Sequence, residues 1–340
     1  MKICQIMAGT GMGGLEKHTF ELSNTLVKKG HHVSVIAHSE FENEFDSKIN
    51  FIPLDLTNSR NNIFLLYKVY KILKTNNFDI VHSQANKAAS IVAKIKPFIK
   101  TKFIATLHNI KSKLNSFEKM DHVITVSNKI GEKLKTTNKT TIYNGIHPSK
   151  PELINLYEKF NIDKNKFIIC SVARFTKVKR LDILLNAIKN IENIHLVLVG
   201  AGKEEKYLKD LAKDLNIESK VTFTGALDNK DAKRIISSSD LFVMTSDNEG
   251  FPYTFVESMF CKTPFLSTPV SDVKEFIGDL YIIPFNSISK CEEKINYIKN
   301  NYDEVKDDFK IVFEKSQQKL TVENMVNETE EVYFKIVTGK

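Results

Sequence analysis

Short apolar runs bounded by turn residues alternate along the whole chain with stretches whose apolar positions recur at helical spacing. KICQIM at 2–7 is the first such run and reads as a strand; a glycine-rich loop follows, and residues 15–29 carry a helical pattern that Gly30 ends. Strand-like runs recur at HHVSVIAH, FDIVHS, KFIATLH, HVITVS and TTIYNG. A second series opens at KFIICSVAR and passes through IHLVLVG, KVTFTG, DLFVMTS, TPFLST and LYIIPF, again with helical patterns between. Continuous apolar runs belong to strands covered on both faces, and their alternation with helices predicts parallel sheets. The pattern therefore predicts two consecutive doubly wound α/β units. The stretch at 147–166, with two prolines and few residues suited to a buried strand, predicts the junction: a first domain over 1–150 and a second over 151–318.

Composition agrees with a two-domain soluble enzyme, at 340 residues, 42% hydrophobic and 26% charged. No run is long and apolar enough to span a bilayer, and MKICQIMAGTGMGG lacks the apolar core of a signal peptide, so a cytoplasmic protein is expected. Cys4, Cys170 and Cys261 lie in or beside apolar runs, Cys291 in a charged stretch, and no CxxC or Cys-His spacing suggests zinc. The charge is uneven: residues 1–150 hold 22 Lys+Arg against 11 Asp+Glu, net +11, and the remainder 27 against 30, net −3. With no Trp and no short motif interleaving aromatics with basic residues, a nucleic-acid module is disfavoured.

The most informative segment is EGFPYTFVESMF at 249–260. A strand precedes it and a helix is predicted over 253–261, so Glu249 sits in a strand-to-helix loop and Glu257 in the first turns of the helix. Unpaired N–H groups and the helix dipole there suit a diphosphate, and the carboxylates suit sugar and ribose hydroxyls. Taken alone, Glu249 reads first as a solvated loop residue and Glu257 as helix N-terminal charge, and it is the surrounding run that favours the site. Arg174 and Lys179, in the loop after KFIICSVAR, pair a planar fork of donors with a compact charge, which suits a diphosphate leaving group. The glycine loop at 9–14 departs from the G-x-G-x-x-G spacing, and Glu40 comes only after His38 and Ser39, so a dinucleotide fingerprint is not supported. His108 closes the strand KFIATLH, at the end where open α/β sheets place their ligands.

The run EGFPYTFVESMFCKTPFLST, together with GGLEKHTFELSNTLVKKGHHVSVI and SVARFTKVKRLDILL, resembles the signatures of the family 4 (group 1) retaining glycosyltransferases. That resemblance covers nearly the whole chain. It implies the GT-B fold, two Rossmann-like domains facing across a cleft, with the acceptor on the first and the nucleotide sugar on the second. It also implies that a helix at 319–340 crosses back to the first domain. By the same resemblance His108, Arg174, Lys179 and Glu249 are catalytic: His108 contacts the reacting sugar, Arg174 and Lys179 clamp the diphosphate, and Glu249 orients the donor sugar. Gly13, Gly14, Gly250, Phe251, Pro252, Thr254 and Glu257 bind the nucleotide sugar, Glu257 at the ribose. In YNGI the family's acidic residue is replaced by His147, which leaves that motif a boundary marker only, and His82 is set aside because Ser83 and Gln84 depart from the family.

The expected activity is retaining transfer of a sugar from a nucleoside diphosphate donor, a UDP-sugar first, to a glycan or lipid-linked acceptor in bacterial surface polysaccharide or lipopolysaccharide synthesis. Front-face attack is implied, with a leaving-group oxygen taking the acceptor proton. No two aspartates are spaced D-x-D, so a metal-independent reaction without a cofactor is expected. A nucleotide-sugar epimerase or hydrolase of the same fold, or a non-catalytic binding subunit, remain the alternatives. The basic first domain, with Lys68, Lys71 and Lys74 at helical spacing and Lys94, Lys96, Lys100 and Lys102 around Pro97, suggests an anionic membrane surface as a partner, and peripheral attachment to the inner face of the cytoplasmic membrane.

Overall fold

The computed structural model describes residues 1–109 and 113–339. The chain divides into two compact units, Met1–His147 with Leu320–Lys340, and Pro148–Lys319.

In the first unit, strands β1 (Lys2–Met7), β2 (His32–Ala37), β3 (Asn50–Pro53), β4 (Ile80–Gln84), β5 (Lys102–Leu107), β6 (His122–Thr125) and β7 (Lys139–Thr141) pair in parallel in the order β3-β2-β1-β4-β5-β6-β7. Helices α1 (Gly14–Lys28), α2 (Ile63–Asn76), α3 (Ala85–Ile95) and α4 (Asn128–Gly131) lie between them in sequence. In the second unit, β8 (Phe167–Val172), β9 (Ile194–Val199), β10 (Val221–Phe223), β11 (Leu241–Met244) and β12 (Phe265–Ser267) form a parallel sheet in the order β10-β9-β8-β11-β12. Its helices are α5 (Leu156–Lys159), α6 (Leu181–Ala187), α7 (Glu205–Asp214), α8 (Asn229–Ser237), α9 (Tyr253–Cys261), α10 (Val273–Ile277), α11 (Ile288–Asn300) and α12 (Tyr302–Lys319). The last helix, α13 (Val322–Thr338), belongs to the first unit.

Both sheets reverse their strand order once, between β1 and β4 and between β8 and β11. In open parallel sheets ligands bind outside the carboxyl ends of the strands at that reversal. The local sequence explains the elements that frame these points. Helix α1 follows Gly13 with no side-chain cap, buries Leu22 and Leu26, and ends before Gly30 at φ +89°, a backbone that glycine adopts without a Cβ clash. Helix α9 begins after Pro252, which pre-sets the entry and has no N–H to satisfy, and ends at Lys262 with φ +58°.

Two expected strands are shorter than their apolar runs suggest. TTIYNG contributes β7 only as far as Thr141, and LYIIPF makes a single bridge, Ile282 to Ser267, because Pro284 has no N–H to extend a ladder. Conversely β3 forms from NFIP, too short and half-exposed to stand out as an apolar run.

The chain's return to the first unit is fixed at Gly145. A Cβ there would overlap the carbonyl of Thr321, and only without one do Ile146 N–H and Leu320 O meet at 3.0 Å and Val322 N–H and Ile146 O at 3.1 Å. From that bridge α13 lays Val322, Met325, Val326, Val332 and Tyr333 into one apolar core with Ile3, Leu22, Leu26, Val33 and Val35. Tyr333 is fully buried there.

Candidate active site

In the second unit the reversal is built from two loops that brace one another. After β8, Ala173 N–H donates to Val199 O at 3.0 Å and Phe175 N–H to Ala201 O at 2.9 Å, so the backbone on both sides of Arg174 is held. The supporting loop follows β9 as Gly200-Ala201-Gly202. Both glycines have φ in the glycine region, +136° and +158°, and a Cβ on either would overlap a carbonyl oxygen, of Ala173 and of Phe175 respectively. Neither was singled out from sequence, although a G-x-G directly after a strand was the available signal. Arg174 itself is exposed, and among the described residues its guanidinium makes no hydrogen bond or ion pair.

Lys179 ends a 3₁₀ turn at Lys177–Lys179. Thr245, just past β11, donates its hydroxyl to the carbonyls of Lys179 and Arg180 at 3.0 and 2.8 Å, and Asp247 N–H donates to Val178 O at 2.8 Å. The loop after β11 thereby pins the loop after β8, and Lys179 Nζ donates to Glu249 Oε1 at 2.5 Å. Two residues separated by 70 positions are thus one ion pair, with side chains 24% and 14% exposed. Arg180, by contrast, is consumed locally: it lies at φ +48°, pairs with Asp182 at 3.0 Å and Asp247 at 3.4 Å, and those carboxylates, Asp182 first, raise its already high pKa.

Glu257 is the fifth residue of α9 and is buried. It accepts from Asn229 Nδ2 at 2.7 Å. Asn229 opens α8, whose start is capped by Asp228 accepting from Asp231 N–H at 2.7 Å. Asn229 carries no motif signal and was not anticipated. Ahead of α9 no side chain caps the helix. Gly250 O accepts from Ser271 Oγ. Phe251 is buried against Phe255, edge to face at 5.8 Å, and Phe276, so its side chain is core, as is Pro252; Thr254 is half-buried.

The first unit's reversal is made differently. Gly13 is extended at φ −166° and precedes α1, which Gly14 opens, with no side-chain cap. Gly11 N–H donates to Glu40 Oε1 at 3.1 Å, so Glu40 closes the glycine loop. Gly9 makes room for the buried Glu16: a Cβ at Gly9 would lie 2.5 Å from its Oε1. His108, at the end of β5, places Nε2 2.8 Å from Gln84 Oε1 and stands edge-on to His18 at 4.7 Å. His18 Nδ1 reaches Asn144 Oδ1 at 3.0 Å, and its buried Nε2 has no hydrogen-bond partner. His82, set aside on sequence grounds, is fully buried between Tyr333 OH at 2.5 Å and Thr106 Oγ1 at 2.7 Å. Desolvation lowers all three imidazoles, His18 to about 4, His82 to about 3 with a contribution from His18, and His108 well below its ordinary value with contributions from His18 and His82. At neutral pH this cluster is uncharged.

Among the described residues no three His, Cys, Asp or Glu side chains gather as a metal site, and no helix is long and apolar enough to cross a membrane.

Two family models match the chain: Glycosyltransferase Family 4 over residues 12–150 and Glycosyl transferases group 1 over residues 155–311. The chain is 27% identical over 313 residues to the N-acetyl-alpha-D-glucosaminyl L-malate synthase of Bacillus anthracis, covering 80% of this chain and 78% of that protein. It is 25% identical over 283 residues to the O-antigen biosynthesis glycosyltransferase WclY of Escherichia coli, covering 75% and 79%. Among solved structures, the Anabaena protein HepE in complex with UDP and glucose superposes with a TM-score of 0.83 at 18% identity, over 97% of this chain and 98% of that one. Two parallel, doubly wound sheets, two adjoining family matches and a common fold place the chain among the family 4 (group 1) glycosyltransferases of the GT-B fold.

Proposed function

We propose that this glycosyltransferase is a retaining, metal-independent enzyme that moves a sugar from a UDP-sugar to a glycan or lipid-linked acceptor of bacterial surface polysaccharide or lipopolysaccharide. The observation that carries the donor assignment is the make-up of the β8/β11 reversal, where one loop after β8 carries both Arg174, without a hydrogen bond or ion pair to its guanidinium among the described residues, and Lys179, paired with Glu249. A cation with no such partner, on the same loop as a paired one, can take up a diphosphate without first breaking a contact. The uncapped start of α9 offers further N–H donors to the same anion. In this reading Arg174 and Lys179 stabilise charge on the departing diphosphate, Glu249 orients the sugar, and Glu257, held by Asn229, takes the ribose. Gly13 and Gly14, at the open start of α1, and His108 lie at the carboxyl ends of the first unit's own strands. UDP is chosen because the Anabaena protein of the same fold holds UDP and glucose, and the surface-glycan setting because WclY serves O-antigen synthesis.

Purified protein with a panel of nucleotide sugars decides the class. Product that forms only when a glycan acceptor is present, with the anomeric configuration of the donor kept and activity undiminished by a chelator, is the expected outcome. Sugar or epimer released without acceptor makes it a hydrolase or epimerase, and donor binding without any turnover makes it a binding subunit.

The membrane part of the reading rests on α2. Leu65, Val69 and Leu73 face the core, while Ile63, Phe64 and Tyr67 are exposed at its start, 72%, 77% and 64%, beside exposed Lys68, Lys71 and Lys74. Apolar side chains flanked by lysines suit an anionic bilayer, where each lysine near the surface contributes about 1 kcal/mol. Lys94 and Lys96 add less, being tied to Arg60 O and to Asp121. Co-sedimentation with vesicles should rise with anionic lipid, fall with salt, and weaken in a Lys68, Lys71, Lys74→Glu triple variant; equal binding to neutral vesicles rules the account out.

A further inference from the structure

A continuous chain of side-chain hydrogen bonds runs through the first unit from α13 to His108. Its members come from four elements, and sheet register sets them side by side: Gln5 of β1 lies opposite His82 of β4, and Gln84 of β4 opposite Thr106 of β5. Gln5 Nε2 donates to Tyr333 OH at 3.0 Å, Gln84 Nε2 donates to Gln5 Oε1 at 2.9 Å, and Gln84 Oε1 is left facing His108 Nε2 at 2.8 Å. An amide oxygen only accepts, so the proton between Gln84 and His108 must sit on His108 Nε2.

The other branch agrees. Tyr333 OH accepts from Gln5 and has one proton to give, and among the described residues His82 Nδ1, 2.5 Å away, is the acceptor within its reach; with Nδ1 accepting, the proton of neutral His82 is on Nε2, which donates to Thr106 Oγ1 at 2.7 Å. Every link thus points in one direction, and the link that turns two amides and two imidazoles the same way is the Tyr333 hydroxyl. Tyr333, His82, Gln5 and Gln84 are all buried, so no bulk water competes for these positions.

We propose that His108 is held as the Nε2–H tautomer, with Nδ1 kept as a bare acceptor, and that Tyr333 of the returning helix is the positioning residue that fixes it. Among the described residues no protein group bonds Nδ1 of His108. An acceptor nitrogen in that place takes a hydroxyl proton from a sugar and rejects a carbonyl or phosphate oxygen, so the chain sets which kind of group His108 can hold. The tautomer assignment stands on geometry alone, and only its consequence for sugar transfer rests on the function proposed above.

The test is long-range ¹H–¹⁵N NMR on full-length protein labelled with ¹⁵N-histidine, His108 and His82 being identified by their loss in His108→Gln and His82→Gln. The expected spectrum shows both residues with a protonated Nε2 and a bare Nδ1 at neutral pH. A protonated Nδ1 or an imidazolium at His108 overturns the proposal. In Tyr333→Phe, His108 should become a mixture of tautomers, and turnover should fall about twofold to tenfold, the equivalent of one neutral hydrogen bond, with the donor KM unchanged. An unchanged His108 tautomer in that variant overturns the role of Tyr333, whether or not the variant is less stable. If wild-type protein shows the assigned tautomer but transfers no sugar, the proposed function fails and the assignment stands.

Discussion

The two sheet reversals have the same topology and opposite electrostatics. Around β8 and β11 the loops carry charge in pairs, Lys179 with Glu249 and Arg180 with Asp182 and Asp247, and among the described residues Arg174 and Lys177 of the same loop make no ion pair. Around β1 and β4 the buried polar groups are mostly neutral, Gln5, His82, Gln84, His18 and Tyr333, with Glu16 the carboxylate beside the glycine loop, and desolvation pushes the imidazoles to their neutral forms. Ion pairs at a partly exposed rim leave a surplus cation to offer an anion, whereas a desolvated cluster is stable only if neutral, and then its strength is orientation. The fold repeats one scaffold with different polar contents: charged pairs at one reversal and directed neutral hydrogen bonds at the other.

The comparison breaks most decisively at the surplus cation. Arg174→Ala and Lys179→Ala should lower turnover about a hundredfold to thousandfold, the loss of about 2.7–4 kcal/mol of stabilisation of the developing charge, with smaller changes in donor affinity. Steady-state kinetics check it, and near-normal turnover in either variant removes the clamp. Lys179→Ala should be the worse of the two for folding, because it leaves the partly buried Glu249 without its cation.

A smaller effect separates the two carboxylates. Glu249→Ala should chiefly lower turnover, while Glu257→Ala should chiefly raise the donor KM, since a ribose contact is the same in ground and transition states. Asn229→Ala should mimic Glu257→Ala more weakly, raising the donor KM about tenfold, the lower end of what a hydrogen bond to a charged group contributes. Opposite patterns in the two glutamate variants would exchange their roles.

The smallest effect is on stability in acid, and it sharpens the electrostatic contrast. His18 and His82 stay neutral in the fold down to about 4 and about 3, against an ordinary value of 6.5, so between those limits the unfolded chain binds more protons. The stability they contribute is complete above pH 6.5 and is lost as pH falls toward 4. In the second unit His195, lowered by burial, acts in the same direction, but Asp240, raised by burial, takes up its proton at higher pH in the fold than in the unfolded chain and so offsets part of the loss as pH falls. Each unit has a buried free thiol as a reporter, Cys4 in β1 and Cys170 in β8. In mild urea, dithiodipyridine labelling of Cys4 should accelerate between pH 7 and pH 5 relative to Cys170. Equal acceleration would mean that the histidine cluster does not set the first unit's acid response.

Much of the second unit's loop geometry was legible because it is local. The strand LFVM, the turn at Pro252 and the helix at Tyr253–Cys261 follow from apolar runs and turn chemistry, and they fix where Glu249 and Glu257 lie on the chain. The glycines at 200 and 202 were visible as letters, but their necessity lies in the carbonyls of Ala173 and Phe175, which arrive from another strand. Asn229 was invisible for the same reason, being the first residue of one helix and the partner of a carboxylate on the next.

What the sequence determined by itself was the alternation of buried strands and amphipathic helices, the family, and the order of charged residues along each loop. Those are properties of neighbours, set by side-chain period and by backbone preferences a few residues long. The tertiary structure alone decided that Lys179 spends its charge on Glu249 while Arg174 keeps its own, and that Gln5 meets Tyr333 across 328 positions of chain. Register between parallel strands and the docking of α13 at Gly145 bring such groups together, and a buried polar atom then takes whichever partner the fold puts within about 3 Å, because leaving it unpaired costs more than any local preference can return.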